Sequence, residues 1–157
     1  FAIRSLAYRS LDEAITNPLS EEIGYYEEYP AKEQTPIMWY LALRAADRFQ
    51  TKRGRWPGAT NDDNGTLSSD VDAVHQELMA LVAEMKLPAE NFGEDALSRK
   101  HAEEITRYGG TELHNTAAVA GGIASQEAVK LITHQYTPLN NTYALNGIPC
   151  AGASYSP

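Results

Sequence analysis

The chain has 157 residues, 43% of them apolar and 22% charged, the make-up of one globular domain with room for a modest core. Its net charge of −8 repels nucleic acid unless a basic patch exists, and the densest candidate, Lys52-Arg53-Gly54-Arg55, is short and reads as a solvated helix end. No apolar run reaches the ~20 residues of a membrane span, no secretion signal is legible, and the single cysteine, Cys150, excludes an internal disulfide framework or a cysteine-based zinc cluster.

The chain opens on Phe1 and not on methionine, which reads as a piece of a longer polypeptide. Residues 3–15 form a plausible short helix closed by Asn17-Pro18. Residues 19–34 are acidic and rich in tyrosine, and Tyr29-Pro30 ends any helix there, because the residue before proline is pushed out of the helical region. Thr35-Pro36 then opens a stronger helix, with threonine at the N-cap and proline at the first helical position. Met38, Leu41, Ala42, Ala45 and Phe49 make one apolar face of it. Gly54 stops it, and Trp56-Pro57-Gly58 is a turn with an aromatic anchor. Residues 61–69 are polar and predicted as a loop.

A third helix is predicted from Ser69 or Asp70 to Leu87, where Pro88 ends it, with Val71, Val74, Leu78, Leu81, Val82 and Met85 at helical spacing. A fourth starts near Glu94 and runs to Gly109-Gly110, with Leu97, His101, Ile105 and Tyr108 on one face. These helices can bury apolar faces against one another, so a small bundle is the expected outcome.

The last segment differs in kind. From Gly110 onward the only charged residues are Glu112, Glu127 and Lys130, which marks a boundary near Tyr108-Gly109-Gly110 and a stretch composed for burial. Residues 115–134 read as a helix rich in alanine that contains Gly121-Gly122. Each internal glycine costs roughly 1 kcal/mol against alanine, which is tolerated where another backbone approaches closely. Residues 141–145 alternate as a strand, Asn146-Gly147 is a hairpin signal, and a second short run reaches Tyr155. The fold class is mainly α: a bundle-like helical domain, then a Gly/Ala-rich helix and a short β-hairpin, one part of an incomplete helix-on-sheet layer.

Few residues point to chemistry. There is no phosphate-binding glycine loop of either common pattern, and His75, His101, His114 and His134 are scattered singly. His101 reads as a satisfied core histidine, and His114 as a cap or an interface residue. Cys150 has no neighbouring charge to lower its pKa and reads as a packed strand cysteine. Glu127 and Lys130 read as an ion pair, and Trp39 and Trp56 as core or turn anchors. The sequons at Asn64 and Asn140 read as unmodified, given no secretion signal.

The run Gly121-Gly122-Ile123-Ala124-Ser125-Gln126-Glu127-Ala128-Val129-Lys130, followed by Pro138, Tyr143 and Gly147, resembles the crossover helix and closing strands of the inactive adenylation half in ubiquitin-like activating enzymes. Arg107-Tyr108-Gly109, His114-Asn115-Thr116-Ala117-Ala118 and Asn140-Asn141-Thr142-Tyr143 resemble the C-terminus of their non-catalytic neddylation subunit. Upstream, Tyr8-Arg9-Ser10-Leu11, the run from Tyr40 to Phe49 and Gly54-Arg55-Trp56-Pro57-Gly58 resemble the helical domain of the same subunit. The likeness covers nearly the whole chain and is loosest at residues 61–69.

The resemblance implies a regulatory or scaffold subunit of a heterodimer, without ATP chemistry of its own. Residues 1–108 would belong to a helical domain in the place of a catalytic-cysteine domain, and residues 109–157 to the end of an inactive adenylation half whose beginning lies upstream. The implied partners are the catalytic subunit of the neddylation activating enzyme and, through it, the ubiquitin-like modifier, with neither nucleic acid nor membrane involved. No catalytic, cofactor or metal residue is expected, since ATP and magnesium belong on the catalytic subunit. The expected location is cytoplasmic, with a nuclear pool. His114, Gly121, Gly122, Gln126, Glu127 and Lys130 are the candidate interface or close-packing residues. Two alternatives stay open: the same region of another ubiquitin-like modifier activating enzyme, and an unrelated helical interaction module.

Overall fold

A computed structural model describes residues 34–59, 65–93, 96–139 and 141–155. The expectations for residues 3–15 and 19–33 lie outside the described residues. Those described form α1 (Pro36–Arg53), α2 (Gly65–Glu84), the single turn α3 (Ala89–Phe92), α4 (Arg99–Tyr108), α5 (His114–Thr133), and strands β1 (Thr142–Asn146) and β2 (Ala151–Tyr155).

Helix α1 begins and ends as its punctuation dictates. Thr35 is extended and 1% exposed, Pro36 is the first helical residue, and Gly54 closes the helix at φ 68°, donating its N–H to the Gln50 carbonyl over 2.8 Å. An L-residue pays a steric penalty at that dihedral and glycine does not. The predicted face is the buried one: Met38, Leu41, Ala42, Ala45 and Phe49 are all inside, with Ile37 and Ala46 beside them. Ile37, Met38, Leu41, Ala45 and Phe49 meet Val71, Val74, Leu78 and Leu81 from α2, and Leu97 and Ala102 from the α4 region, in one core. A smaller cluster joins Ala42, Ala46 and Ile105 under Trp39 and Trp56, so both tryptophans are the anchors their positions predicted. Truncating a core side chain such as Leu41 costs about 2–5 kcal/mol.

Three boundaries differ from expectation. Helix α2 starts at Gly65, inside the predicted loop, so Asp70 is an interior helical residue and not a starting cap. It ends at Glu84; Lys86 then turns through φ 51°, and the Leu87 N–H donates to the Val82 carbonyl. Helix α4 starts at Arg99 and not near Glu94: Leu97 is fully buried in the turn before it, its N–H held by the Gly93 carbonyl over 2.8 Å. There the Ser98 N–H donates to Nδ1 of His101 over 3.2 Å, and the His101 ring sits 4.8 Å from that of Trp39. His101 is therefore a satisfied core histidine, whereas Tyr108, expected on the same buried face, is 57% exposed.

The basic run at the end of α1 is more than a solvated terminus. Arg55 grips the buried Asp70 carboxylate with two hydrogen bonds of 2.6 and 2.7 Å, and the Gly58 N–H adds a third at 3.0 Å. Arg53 stands 3.6 Å from the same carboxylate, and both guanidinium groups lie over the Phe49 ring. At Gly58, φ is 75°, and a side chain there would strike the Thr106 carbonyl. The turn thus ties α1 to α2 and lies against α4. The pairs Arg48–Glu84, Lys52–Glu77 and Arg99–Asp72 add exposed links between the helices, each worth about 0–1 kcal/mol.

Strands β1 and β2 pair with each other, antiparallel, with Thr142 opposite Tyr155 and Asn146 opposite Ala151. The connection is a four-residue turn, Gly147 to Cys150, and not the two-residue Asn-Gly turn predicted. Asn146 is the last residue of the ladder, while Pro149 has no N–H to give it. Cys150 is exposed in the turn at φ 52°, which corrects its reading as a packed strand cysteine. Ala144 and Ala153 rest against the helical core, so the hairpin docks on α1.

Burial pushes the Asp70 carboxyl upward, but the Arg55 hydrogen bonds, the Gly58 amide and the charges of Arg55 and Arg53 outweigh it and hold the group below its ordinary value. Its ionised form therefore stabilises the fold above the ordinary aspartate range, and the contribution is lost as pH falls through the lowered folded value. Arg55→Ala should lower the thermal midpoint more than Arg53→Ala, because it leaves a buried charge without its principal partner. Melts of the two variants from neutral pH down to pH ~3 should show the gap widest at neutrality and narrowing as Asp70 protonates.

Candidate functional site: the exposed glycine-rich helix

Helix α5 forms almost where predicted, and His134 closes it in the left-handed region at φ 55°. Its surroundings differ from those of α1, α2 and α4: none of its residues is buried. Val129 is 50% exposed, Leu131 53% and Ile132 78%. A helix apolar on all sides is normally covered on all sides. The composition of residues 110–157 predicted burial, and among the described residues that burial is unmet along α5.

The six candidate residues all lie on this helix. His114 is its first residue, while Gly122, Gln126 and Lys130 follow one another at four-residue spacing along one face. Gly121 and Gly122 are exposed, and a Cβ added at either would meet nothing within 4 Å. Nothing in the described residues therefore offsets their helix-propensity cost of about 1 kcal/mol each.

Glu127 and Lys130 do come together. The Lys130 ammonium donates to Oε1 of Glu127 over 2.6 Å, while Oε2 accepts the Leu139 N–H over 2.7 Å. One carboxylate thus ties the C-terminal half of α5 to the segment leading into β1. Behind it, Ala120, Ile123 and Leu131 from α5 face Pro138, Tyr143 and Leu145 across a cavity of about 460 Å³. A second cavity of about 240 Å³ lies between the start of α4 and the hairpin, lined by Trp39, Lys100, His101, Glu104 and Asn146. Among the described residues no cluster of His, Cys, Asp or Glu is arranged to hold a metal ion, and no helix is long and apolar enough to cross a membrane.

The glycines and the ion pair stand among the candidate residues read from the sequence, whereas Val129, Ile132 and Leu139 do not. The first two have the spacing of ordinary core residues, and the lack of a charged face opposite them points to burial and not to the exposure seen here. The Leu139 contact involves a backbone amide and leaves no side-chain signal.

No family model matches the chain. It is 34% identical over 155 residues to the NEDD8-activating enzyme E1 regulatory subunit of Xenopus laevis, an alignment covering 98% of this chain and 27% of that protein. It is 32% identical over 144 residues to the NEDD8-activating enzyme E1 regulatory subunit AXR1 of Arabidopsis thaliana, covering 90% of this chain and 24% of that protein. SUMO-activating enzyme subunit 1 of Bos taurus is 31% identical over 117 residues, covering 74% of this chain and 29% of that protein. The exposed helix and its docked hairpin are thus part of a chain of the E1, ubiquitin-like modifier activating, family. Within that family the chain belongs with the regulatory subunits of NEDD8-activating enzymes, and it spans about a quarter of the length of the relatives named.

The Lys130 hydrogen bond, the Leu139 amide and the Lys130 charge hold the Glu127 carboxyl below its ordinary value against a weaker opposing effect of burial. The tie is complete above the ordinary glutamate value of about 4.3 and loosens as pH falls through the lower folded value. In an NMR titration the Leu139 amide shift should follow a single transition with a midpoint below that of an ordinary glutamate. Glu127→Gln should abolish that transition.

Proposed function

We propose that this chain is the helical-domain and closing part of a non-catalytic regulatory subunit, which serves a neddylation activating enzyme by supplying surfaces and not ATP chemistry. Residues 1–108 belong to the helical domain and residues 109–157 to the end of an inactive adenylation-type half. The catalytic subunit of the heterodimer binds ATP and magnesium and carries the modifier, and the assembly works in the cytoplasm and nucleus. The observation that carries this reading is α5, an apolar helix with no buried residue in a chain that matches NEDD8-activating regulatory subunits over nearly its whole length. Its apolar sides are suited to the sheet of an adenylation-type half, with the catalytic subunit beyond. The SUMO-activating relative supports a second reading, the same region of an activating enzyme for a different modifier.

The two readings separate when full-length subunits containing this chain are combined with the catalytic subunit and offered NEDD8 or SUMO: exchange of pyrophosphate should depend on NEDD8, and dependence on SUMO would transfer the assignment. The chain by itself should give no modifier-dependent exchange and no thioester. Gly122→Leu should leave the isolated chain as stable or raise its stability by up to about 1 kcal/mol, since a side chain there meets open space. In the full-length subunit the same change should reduce co-purification with the catalytic subunit, and unchanged recovery would count against a close-packed role for this face.

A further inference from the structure

Asn146 combines a reactive sequence with a protected setting. It precedes Gly147, whose missing side chain leaves its backbone amide free to approach the asparagine carboxamide. Asparagine in this context is chemically labile. In the fold, however, Asn146 is only 7% exposed, and both ends of its carboxamide are engaged. Nδ2 donates to the Gln34 carbonyl over 2.8 Å, and Oδ1 accepts the Ile148 N–H over 3.1 Å. Asn146 also closes the β-ladder opposite Ala151. The same side chain thus pins the hairpin to the residue before Thr35 and shapes the turn that follows β1.

We propose that Asn146 is a deamidation site guarded by hairpin docking, and that its conversion releases the hairpin from α1 irreversibly. In the reaction the Gly147 nitrogen attacks Cγ of Asn146. A bond forms between that nitrogen and Cγ, the Cγ–Nδ2 bond breaks, and the Gly147 amide proton leaves with Nδ2 as ammonia. Water then opens the cyclic imide to aspartate or isoaspartate. Cyclisation requires the carboxamide to rotate away from both Gln34 and Ile148, so it proceeds only from molecules in which the hairpin has lifted.

The product cannot re-dock as before. A carboxylate has no proton to donate to the Gln34 carbonyl, so two acceptors face each other where a hydrogen bond stood. Glu104 lines the adjoining cavity and adds like charge, while Lys100 on the same wall offers partial compensation. Isoaspartate also lengthens the main chain by one atom and breaks the register of Asn146 with Ala151.

The test is peptide mass spectrometry of the 157-residue chain incubated at mildly alkaline pH, native and in urea, following the exchange of NH₂ for OH at Asn146. Deamidation in the native chain should be slower by about tenfold or more, the factor set by a local opening equilibrium. Ala144→Asp, which places a charge where the hairpin meets the core, should bring the native rate toward the urea rate while circular dichroism retains the helical signal. Asn146→Asp should raise hydrogen exchange in β1 and β2 without raising it in α1. Equal rates for native and denatured wild-type chain would overturn the proposal even if Ala144→Asp failed to fold. So would full hairpin protection in Asn146→Asp.

Discussion

The helical core and the hairpin both lean on α1. Its apolar face is covered by α2 and α4, and the hairpin closes on it through Ala144 and Ala153. The helix is amphipathic in the ordinary sense, but it is enclosed on more than one side, so Ala42, Ala45 and Ala46 are as fully buried as Leu41 and Phe49. Small residues there let the neighbouring elements approach closely, and large ones fill the space between. Asp70 then fixes the orientation. Its carboxylate accepts from Arg55 and the Gly58 amide, so the turn leaving α1 is held against the side of α2.

Against that enclosed helix, α5 is the contrasting case. It has as little charge as a core helix and none of a core helix's burial. The glycine pair makes the contrast physical: two residues that weaken a helix sit where no packing within the described residues requires them. On the proposed reading, they leave room for an outside surface to come close to the backbone. The relatives in the E1 family are about four times longer than the portion matched, which is room for such a surface.

Much of this was legible in the residues. Thr35-Pro36 and Gly54 marked both ends of α1 because N-cap, first-turn proline and left-handed glycine are local devices that need no tertiary context. The alternating tail marked a hairpin for the same reason. What could not be read were features decided at long range. Asp70 looked like a helix start because aspartate favours that position, but the half-exposed Arg55 pairs with its buried carboxylate and makes an interior place favourable, and α2 extends back to Gly65. Asn146-Gly147 looked like a tight turn, yet the Asn146 side chain is committed to Gln34, over a hundred positions away, and the chain turns after it instead. For the candidate site, the pattern located the helix and the Glu127–Lys130 pair. It could not tell exposure from burial, since the same apolar spacing serves both.

The central claim is that the chain holds a self-sufficient helical core around α1 and an α5 helix awaiting cover. Native-state hydrogen exchange on the isolated chain tests it most directly. The account predicts that amides in the middle of α1, α2 and α4 exchange only through global opening, whereas those of α5 exchange at least about tenfold faster through local unfolding. Protection of α5 equal to that of α1 would show that the chain already covers this helix, and would contradict the account.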